Sequence, residues 1–152
     1  MIVLDTNVIS EMLRVVPSPE VARWIAAQPE HRLHITAITE AEIRVGVNMM
    51  PTGKRKAQLL ATIEQTLGQL FAGKILPFDS ASAIAYAEIS ANRRSLGKPI
   101  SPFDAQIAAI ARAHGAAAIA TRNVDDFAST GVEIVSPWTA ASVTGAVLVP
   151  KP

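Results

Sequence analysis

Apolar positions fall into two alternating rhythms along this chain: short unbroken runs of β-formers, and longer stretches spaced at three and four residues. The first run, Ile2-Val3-Leu4, leads directly into Asp5-Thr6-Asn7. An unbroken apolar run fits a strand buried on both faces. Val8, Ile9, Met12 and Leu13 then recur at helical spacing, and the segment stops near Pro17 and Pro19. Ser18 is placed to cap a second helix, with Pro19 at its first position and Val21, Trp24 and Ile25 on its apolar face, and Pro29 beyond its end. Leu33 to Thr36 reads as the second strand. Thr36 and Thr39 are both possible caps for a third helix, on which Ile38, Glu42, Val45 and Met49 lie near one another and Ile43 and Val47 widen the buried side. After the turn Pro51-Thr52-Gly53, a long helix from Lys54 to Leu70 carries the stripe Leu59, Leu60, Ile63, Leu67 and Leu70. Gly73 ends it, and Ile75-Leu76 forms a short strand closed by Pro77.

Asp79 or Ser80 caps an alanine-rich helix that runs to Arg93, Arg94 and Leu96 and stops at Gly97. Ser101 caps the next, with Pro102 at its first position and Asp104 in its first turn. Ile107, Ile110 and Ala111 bury one face of it, and Gly115 closes it. Ala116 to Ala120 is a small-residue strand leading into Thr121-Arg122-Asn123. A short helix around Asp125 to Phe127 and a last strand, Val132 to Val135, precede Pro137-Trp138. Strands alternating with helices from end to end predict an α/β domain with a parallel sheet. One domain is expected over residues 1–140. The segment 141–152 lacks helical periodicity, ends Pro-Lys-Pro, and reads as a frayed end or a partner-binding arm.

Composition narrows the picture. Hydrophobic residues make up 49% of the 152, enough for a sizeable core, while charged residues make up only 18%, which leaves surface suited to a partner. No run is long enough to span a bilayer and no signal peptide is visible. Without cysteine, disulfides and thiolate metal sites are excluded, and a reducing cytoplasm is the simplest setting. The net charge of +1 neither demands nor forbids nucleic acid, because a local basic patch suffices.

Chemistry points to the acids. Ligands of open parallel sheets bind beyond the carboxyl ends of the strands, where Asp5 stands. Asp104 opens a helix after a loop, and Glu42 shares its helix with a broad apolar face. A buried glutamate without a partner is costly, and a metal resolves that cost. Beyond the strand ending at Ala120, a fourth ligand would be expected where Asn123 stands, with Asp125 and Asp126 just after it. Several carboxylates around one point suit phosphodiester hydrolysis with hard cations such as Mg²⁺ or Mn²⁺. Taken singly, Asp5 equally fits a helix cap and Asp104 a complement to a helix dipole.

Four stretches in order resemble the motifs of PIN-domain ribonucleases, specifically the VapC/FitB-like toxins of type II toxin–antitoxin systems. They are Leu4-Asp5-Thr6-Asn7-Val8-Ile9-Ser10-Glu11, then Ile38-Thr39-Glu40-Ala41-Glu42-Ile43-Arg44-Val45-Gly46, then Asp104-Ala105-Gln106-Ile107-Ala108-Ala109, and finally Thr121-Arg122-Asn123 with Asp126-Phe127 and Ser136-Pro137-Trp138. The resemblance implies a PIN-like fold, a parallel sheet with helices on both faces, and a Mg²⁺- or Mn²⁺-dependent endoribonuclease. It carries Asp5, Glu42 and Asp104 over as metal-binding catalytic acids, Glu42 being chosen over Glu40 by its place before Ile43 and Arg44. Thr6 and Asn7 would orient Asp5, and Thr121 would hydrogen-bond near the metal or its water. Many relatives carry aspartate where this chain has Asn123. An amide oxygen still ligates or orients water but brings no charge, so either one metal is held firmly and a second only with substrate, or Asp125 or Asp126 contributes.

The same resemblance implies a homodimer that joins a cognate antitoxin, a small DNA-binding protein, in a hetero-oligomer. Met49, Met50 and the helix from Ala81 to Ala91 are the candidate interface. Arg93 and Arg94, just before the loop to Asp104, are the expected contacts for RNA phosphates, ahead of Lys54, Arg55 and Lys56. Asn123 keeps open a second reading, a catalytically weak PIN module that acts with its antitoxin on promoter DNA. Haloacid-dehalogenase-like phosphatases also place an aspartate after a strand, but they need another two residues on, where this chain has Asn7.

Overall fold

A computed structural model describes residues 1–139. Its centre is a five-stranded, all-parallel sheet in the order β3-β2-β1-β4-β5. The strands are β1 (Ile2–Leu4), β2 (Leu33–Thr36), β3 (Ile75–Leu76), β4 (Ala118–Ala120) and β5 (Glu133–Val135). The helices are α1 (Thr6–Met12), α2 (Pro19–Ala26), α3 (Ala37–Asn48), α4 (Lys54–Gln69), α5 (Ser80–Ser95), α6 (Pro102–Ala113) and α7 (Val124–Phe127). A 3₁₀ turn at Glu30–Arg32, absent from the sequence reading, leads into β2. The expected partner-binding arm, 141–152, lies outside the described residues.

The sheet is buried from both sides. Ile2 and Leu4 face a core that includes Val8, Ile9, Val21, Ile43, Val47, Ile63 and Leu67, from α1 to α4. Val3, between them, faces the opposite core with Ala85, Ile89, Ile107, Ala108 and Phe127, from α5 to α7. Successive strand side chains point to opposite faces, so a strand covered twice must be apolar throughout. Alanines make the second layer thin: Ala108, Ala109 and Ala111 of α6 are wholly buried in it.

Polar caps start the helices as the sequence suggests. Thr36, rather than Thr39, caps α3 by accepting from the Thr39 N–H at 3.0 Å. Ser101 Oγ accepts from the Asp104 N–H, and Asp79 Oδ1 from the Ser82 N–H at 2.8 Å. Each such cap satisfies a donor that the helix leaves free and contributes about 1 kcal/mol. Gly97, just past α5, takes φ 68°, the left-handed conformation that ends a helix at little cost only with glycine.

This topology fixes the place of any site. From β1 the chain builds outward through β2 and β3, then returns to β1's other side with β4. The strand order therefore reverses between β1 and β4, and the crevice beyond their carboxyl ends is the natural ligand position.

Candidate functional site

Asp5 and Thr121 follow β1 and β4 and face each other across that crevice. Asp5 is only 4% exposed. Its Oδ1 accepts from the Thr6 N–H at 2.7 Å, and its Oδ2 accepts from the Thr121 hydroxyl at 2.7 Å. Asp5 thus caps α1 through one oxygen, while Thr121 holds the other. Thr121 Oγ1 in turn accepts from Asn7 Nδ2 at 3.2 Å and from the Asn123 N–H at 3.0 Å. Asn7 Oδ1 accepts from the Arg122 N–H at 3.1 Å. The two loops are therefore stitched together by three bonds around one threonine and one asparagine.

The other acids arrive from separate helices. Glu42, one turn into α3, accepts from the Thr6 hydroxyl. Asp104, in the first turn of α6, accepts from the Ser101 hydroxyl at 2.6 Å. Asp5, Glu42, Asp104 and Asn123 all line one open cavity of about 570 Å³, with Thr6, Asn7, Ser10, Glu11, Arg14 and Arg122. Burial pushes the Asp5 carboxyl up to about 6. The nearby Asp104 and Glu42 carboxylates push the same way, against the hydrogen bonds from Thr121 and Thr6. Three acids from three elements, with one driven toward its neutral form by burial and, to a lesser degree, by its neighbours, make a site that attracts cations.

The donor set is hard oxygen: three carboxylates and an amide. It suits Mg²⁺ or Mn²⁺ and offers nothing to soft metals. Among the described residues no three histidine, aspartate or glutamate side chains are grouped closely enough to hold a metal ion as they stand. The acids ring an open cavity and leave room for water and substrate beside an ion.

Four predicted residues sit elsewhere. Asp126 is exposed on α7 and does not line the cavity, and Asp125 does not line it either, so of the candidates beyond β4 only Asn123 does. Arg93 is not a surface cation awaiting RNA. It is 4% exposed and donates through Nη1 to the Ala128 carbonyl at 2.7 Å and the Asp125 carbonyl at 3.2 Å. Its charge serves the C-terminal end of α7. Arg94 is exposed on α5 beside Ser90, Ala91 and Ser95, in a separate depression.

The cations that do line the acidic cavity are Arg14 and Arg122, which sequence reasoning passed over together with Glu11. Glu11 is buried; its Oε1 accepts from the Ser18 N–H at 2.8 Å, and its Oε2 meets Arg14 at 3.3 Å and Arg122 at 3.5 Å. The Ser18 N–H, with help from both arginines, holds its carboxyl below the usual range. A signal existed: Glu11 stands one turn after Asn7, and Arg122 lies inside the Thr121–Asn123 motif itself.

Comparison with known proteins agrees with this geometry. Residues 2–133 match the PIN domain family. The chain is 44% identical to the plasmid stability protein StbB of Pseudomonas syringae pv. tomato, over 92% of this chain and all of that one. It is 43% identical to the VapC ribonuclease Y4jK of Sinorhizobium fredii, over 91% of this chain and 98% of that one. Among solved structures it resembles a chain of the FitAcB crystal structure from Neisseria gonorrhoeae, with a TM-score of 0.86 and 42% identity, covering 91% of this chain and 99% of that one. A parallel sheet with acids gathered at its switch point, matched along nearly the whole domain, places this chain in the PIN domain family.

Proposed function

We propose that this protein is a Mg²⁺- or Mn²⁺-dependent endoribonuclease, the toxin of a type II toxin–antitoxin pair, working in the cytoplasm and restrained by a cognate antitoxin. The observation that carries the reading is the convergence of Asp5, Glu42 and Asp104 on one cavity. The relatives named as ribonuclease and stability protein support it.

Asp5, Glu42 and Asp104 would hold the metal, with the Asn123 amide beside them. A divalent cation bound there supplies Lewis-acid activation of water and offsets charge on the leaving oxygen. Thr121 fixes Asp5, Thr6 fixes Glu42 and Ser101 fixes Asp104, each through its hydroxyl. Asn7 holds the β4 loop through Thr121 and the Arg122 N–H, which sets where Asn123 stands.

A second cavity, of about 620 Å³, adjoins the first through Thr6, Ser10, Arg14 and Glu42 and is lined by Leu13, Val15, Val16, Val47, Met50 and Leu59. Val15 is fully exposed. This groove is the seat proposed for an apolar antitoxin segment, whose end would then reach the acids. Val45 on α3 and Met49 just past its end, both exposed, supply surface for a second copy of the chain.

Purified protein should cleave RNA with Mg²⁺ or Mn²⁺ and stop in EDTA, and Asp5→Ala or Asp104→Ala should abolish cleavage. Growth arrest on expression should vanish with Asp5→Ala. Equal cleavage by the wild type and both variants would sink the reading.

A further inference from the structure

The rim of the acidic cavity is unequal. Asp5, Glu11, Glu42 and Asp104 line it, and among the lining residues only Arg14 and Arg122 oppose them. RNA carries a charge at each phosphate, so a cavity walled by carboxylates needs a cation placed for the backbone beside it. The two arginines are held differently. Arg14 follows α1 on an exposed turn, and its side-chain hydrogen bond goes to Glu11. Arg122 is fixed from three sides. Its guanidinium lies over the Trp138 ring, 4.4 Å from the centroid. Its backbone N–H is tied to Asn7, and its Nη2 reaches Glu11 at 3.5 Å.

Arg122 is nevertheless half free. Its side chain is 54% exposed at the cavity wall. A guanidinium held over an indole by cation–π attraction spends no N–H donor on that contact and keeps donors for a phosphate. The contact with Glu11 is long, and Glu11 has stronger claims on it from the Ser18 N–H. Stacking removes much of the rotamer freedom that an arginine on open surface would lose on binding. Burial removes Arg93 from such a role, and Arg94 stands outside the cavity.

We propose that Arg122, carried on the face of Trp138, is a substrate-binding residue that takes a phosphate of the RNA backbone adjoining the one at the acid cluster. The assignment rests on the ribonuclease reading of this site. The competing role is a brace that ties the turn at Trp138 to α1 through Glu11.

Salt dependence separates the two roles. Binding of a short fluorescein-labelled single-stranded RNA of mixed sequence is followed by anisotropy in Ca²⁺, from about 50 to 200 mM KCl. Arg122→Gln should weaken binding about tenfold at the low-salt end, the worth of one charge-assisted hydrogen bond. It should also flatten the slope of log K against log salt by about 0.7, the share of one phosphate on a single strand. Arg122→Lys should keep the slope and recover part of the affinity. In cleavage with Mg²⁺ or Mn²⁺, the loss for Arg122→Gln should fall on KM rather than kcat. An unchanged slope in Arg122→Gln, or a lysine variant as weak and as flat as the glutamine one, would overturn the assignment in favour of the brace. Wild-type protein that neither binds nor cuts RNA fails the ribonuclease reading itself. Wild type that cuts RNA, with Arg122→Gln equal to it, fails only the Arg122 assignment.

Discussion

Replacing Asp5 by asparagine should abolish cleavage and, in metal-free protein at pH 8, raise the melting temperature. The carboxyl ordinarily ionises at 3.8 and here does so at about 6. A shift of roughly two units corresponds to a penalty of about 3 kcal/mol on the folded state when Asp5 is charged. Asparagine removes that charge with almost no change of shape. Its Oδ1 still accepts from the Thr6 N–H, but its amide nitrogen then meets the Thr121 hydroxyl that donated to Oδ2. Losing that bond costs about 1–1.5 kcal/mol. The net gain is about 1.5–2 kcal/mol, which for a domain of this size raises the melting temperature by roughly 3–8 °C.

The pH dependence follows from linkage. A carboxyl whose folded pKa lies above its unfolded one binds more protons folded than unfolded between the two values, so its contribution to stability falls as pH rises through that window. Wild type should therefore lose stability relative to Asp5→Asn between about pH 4 and 6. The difference should be flat above that window, and below it the sign should reverse, leaving only the lost Thr121 bond. Thermal melts in EDTA from pH 3.5 to 8 read this directly. Added Mg²⁺ or Mn²⁺ should stabilise wild type more than the variant. A variant that melts lower than wild type at pH 8, or a difference independent of pH, would refute the claim that Asp5 is charged at a cost.

Two other outcomes are expected. Arg93→Met should lower stability by about 2–4 kcal/mol in urea unfolding, because two carbonyls at the end of α7 lose a charged donor, whereas Arg94→Ala should leave both stability and RNA binding near wild type. Asn123→Asp adds a carboxylate to the cavity wall and should lower the Mg²⁺ or Mn²⁺ concentration that gives half-maximal cleavage; an unchanged metal titration would remove Asn123 from the metal's surroundings.

Sequence periodicity revealed the elements because burial here is lopsided in helices and complete in the central strands β1 and β4. Ile2-Val3-Leu4 could be unbroken only if both faces were covered, and Ser101-Pro102 marked the start of α6 through cap chemistry alone. Strand order was not legible, since nothing in β4 names β1 as its neighbour. Arg93 was misplaced for the same kind of reason. Locally it is a cation near the end of a helix, a position usually solvated. Its burial comes from carbonyls 32 and 35 residues further along the chain. The contact of Glu11 with Arg122 spans 111 residues, so neither residue betrayed its place at the cavity. Asp126 looked available because it follows the motif, yet a single-turn helix turned it outward.

The partners of the four acids at the cavity separate their roles better than their positions do. Asp5, Glu42 and Asp104 each accept from one hydroxyl, of Thr121, Thr6 and Ser101, and Asp5 also from the Thr6 N–H, but among the described residues none meets a cation. A hydroxyl orients a carboxylate through a dipole and leaves its charge uncancelled, so the charge remains for a cation. Glu11 is held differently, by a backbone N–H and two guanidinium groups. Its charge is already matched, and displacing it would leave two arginines without their partner. On the proposed reading, the same cavity holds three acids whose charge is left for a metal and one spent on positioning. The arginine that Glu11 helps to position, Arg122, is the one whose guanidinium stays open toward the cavity.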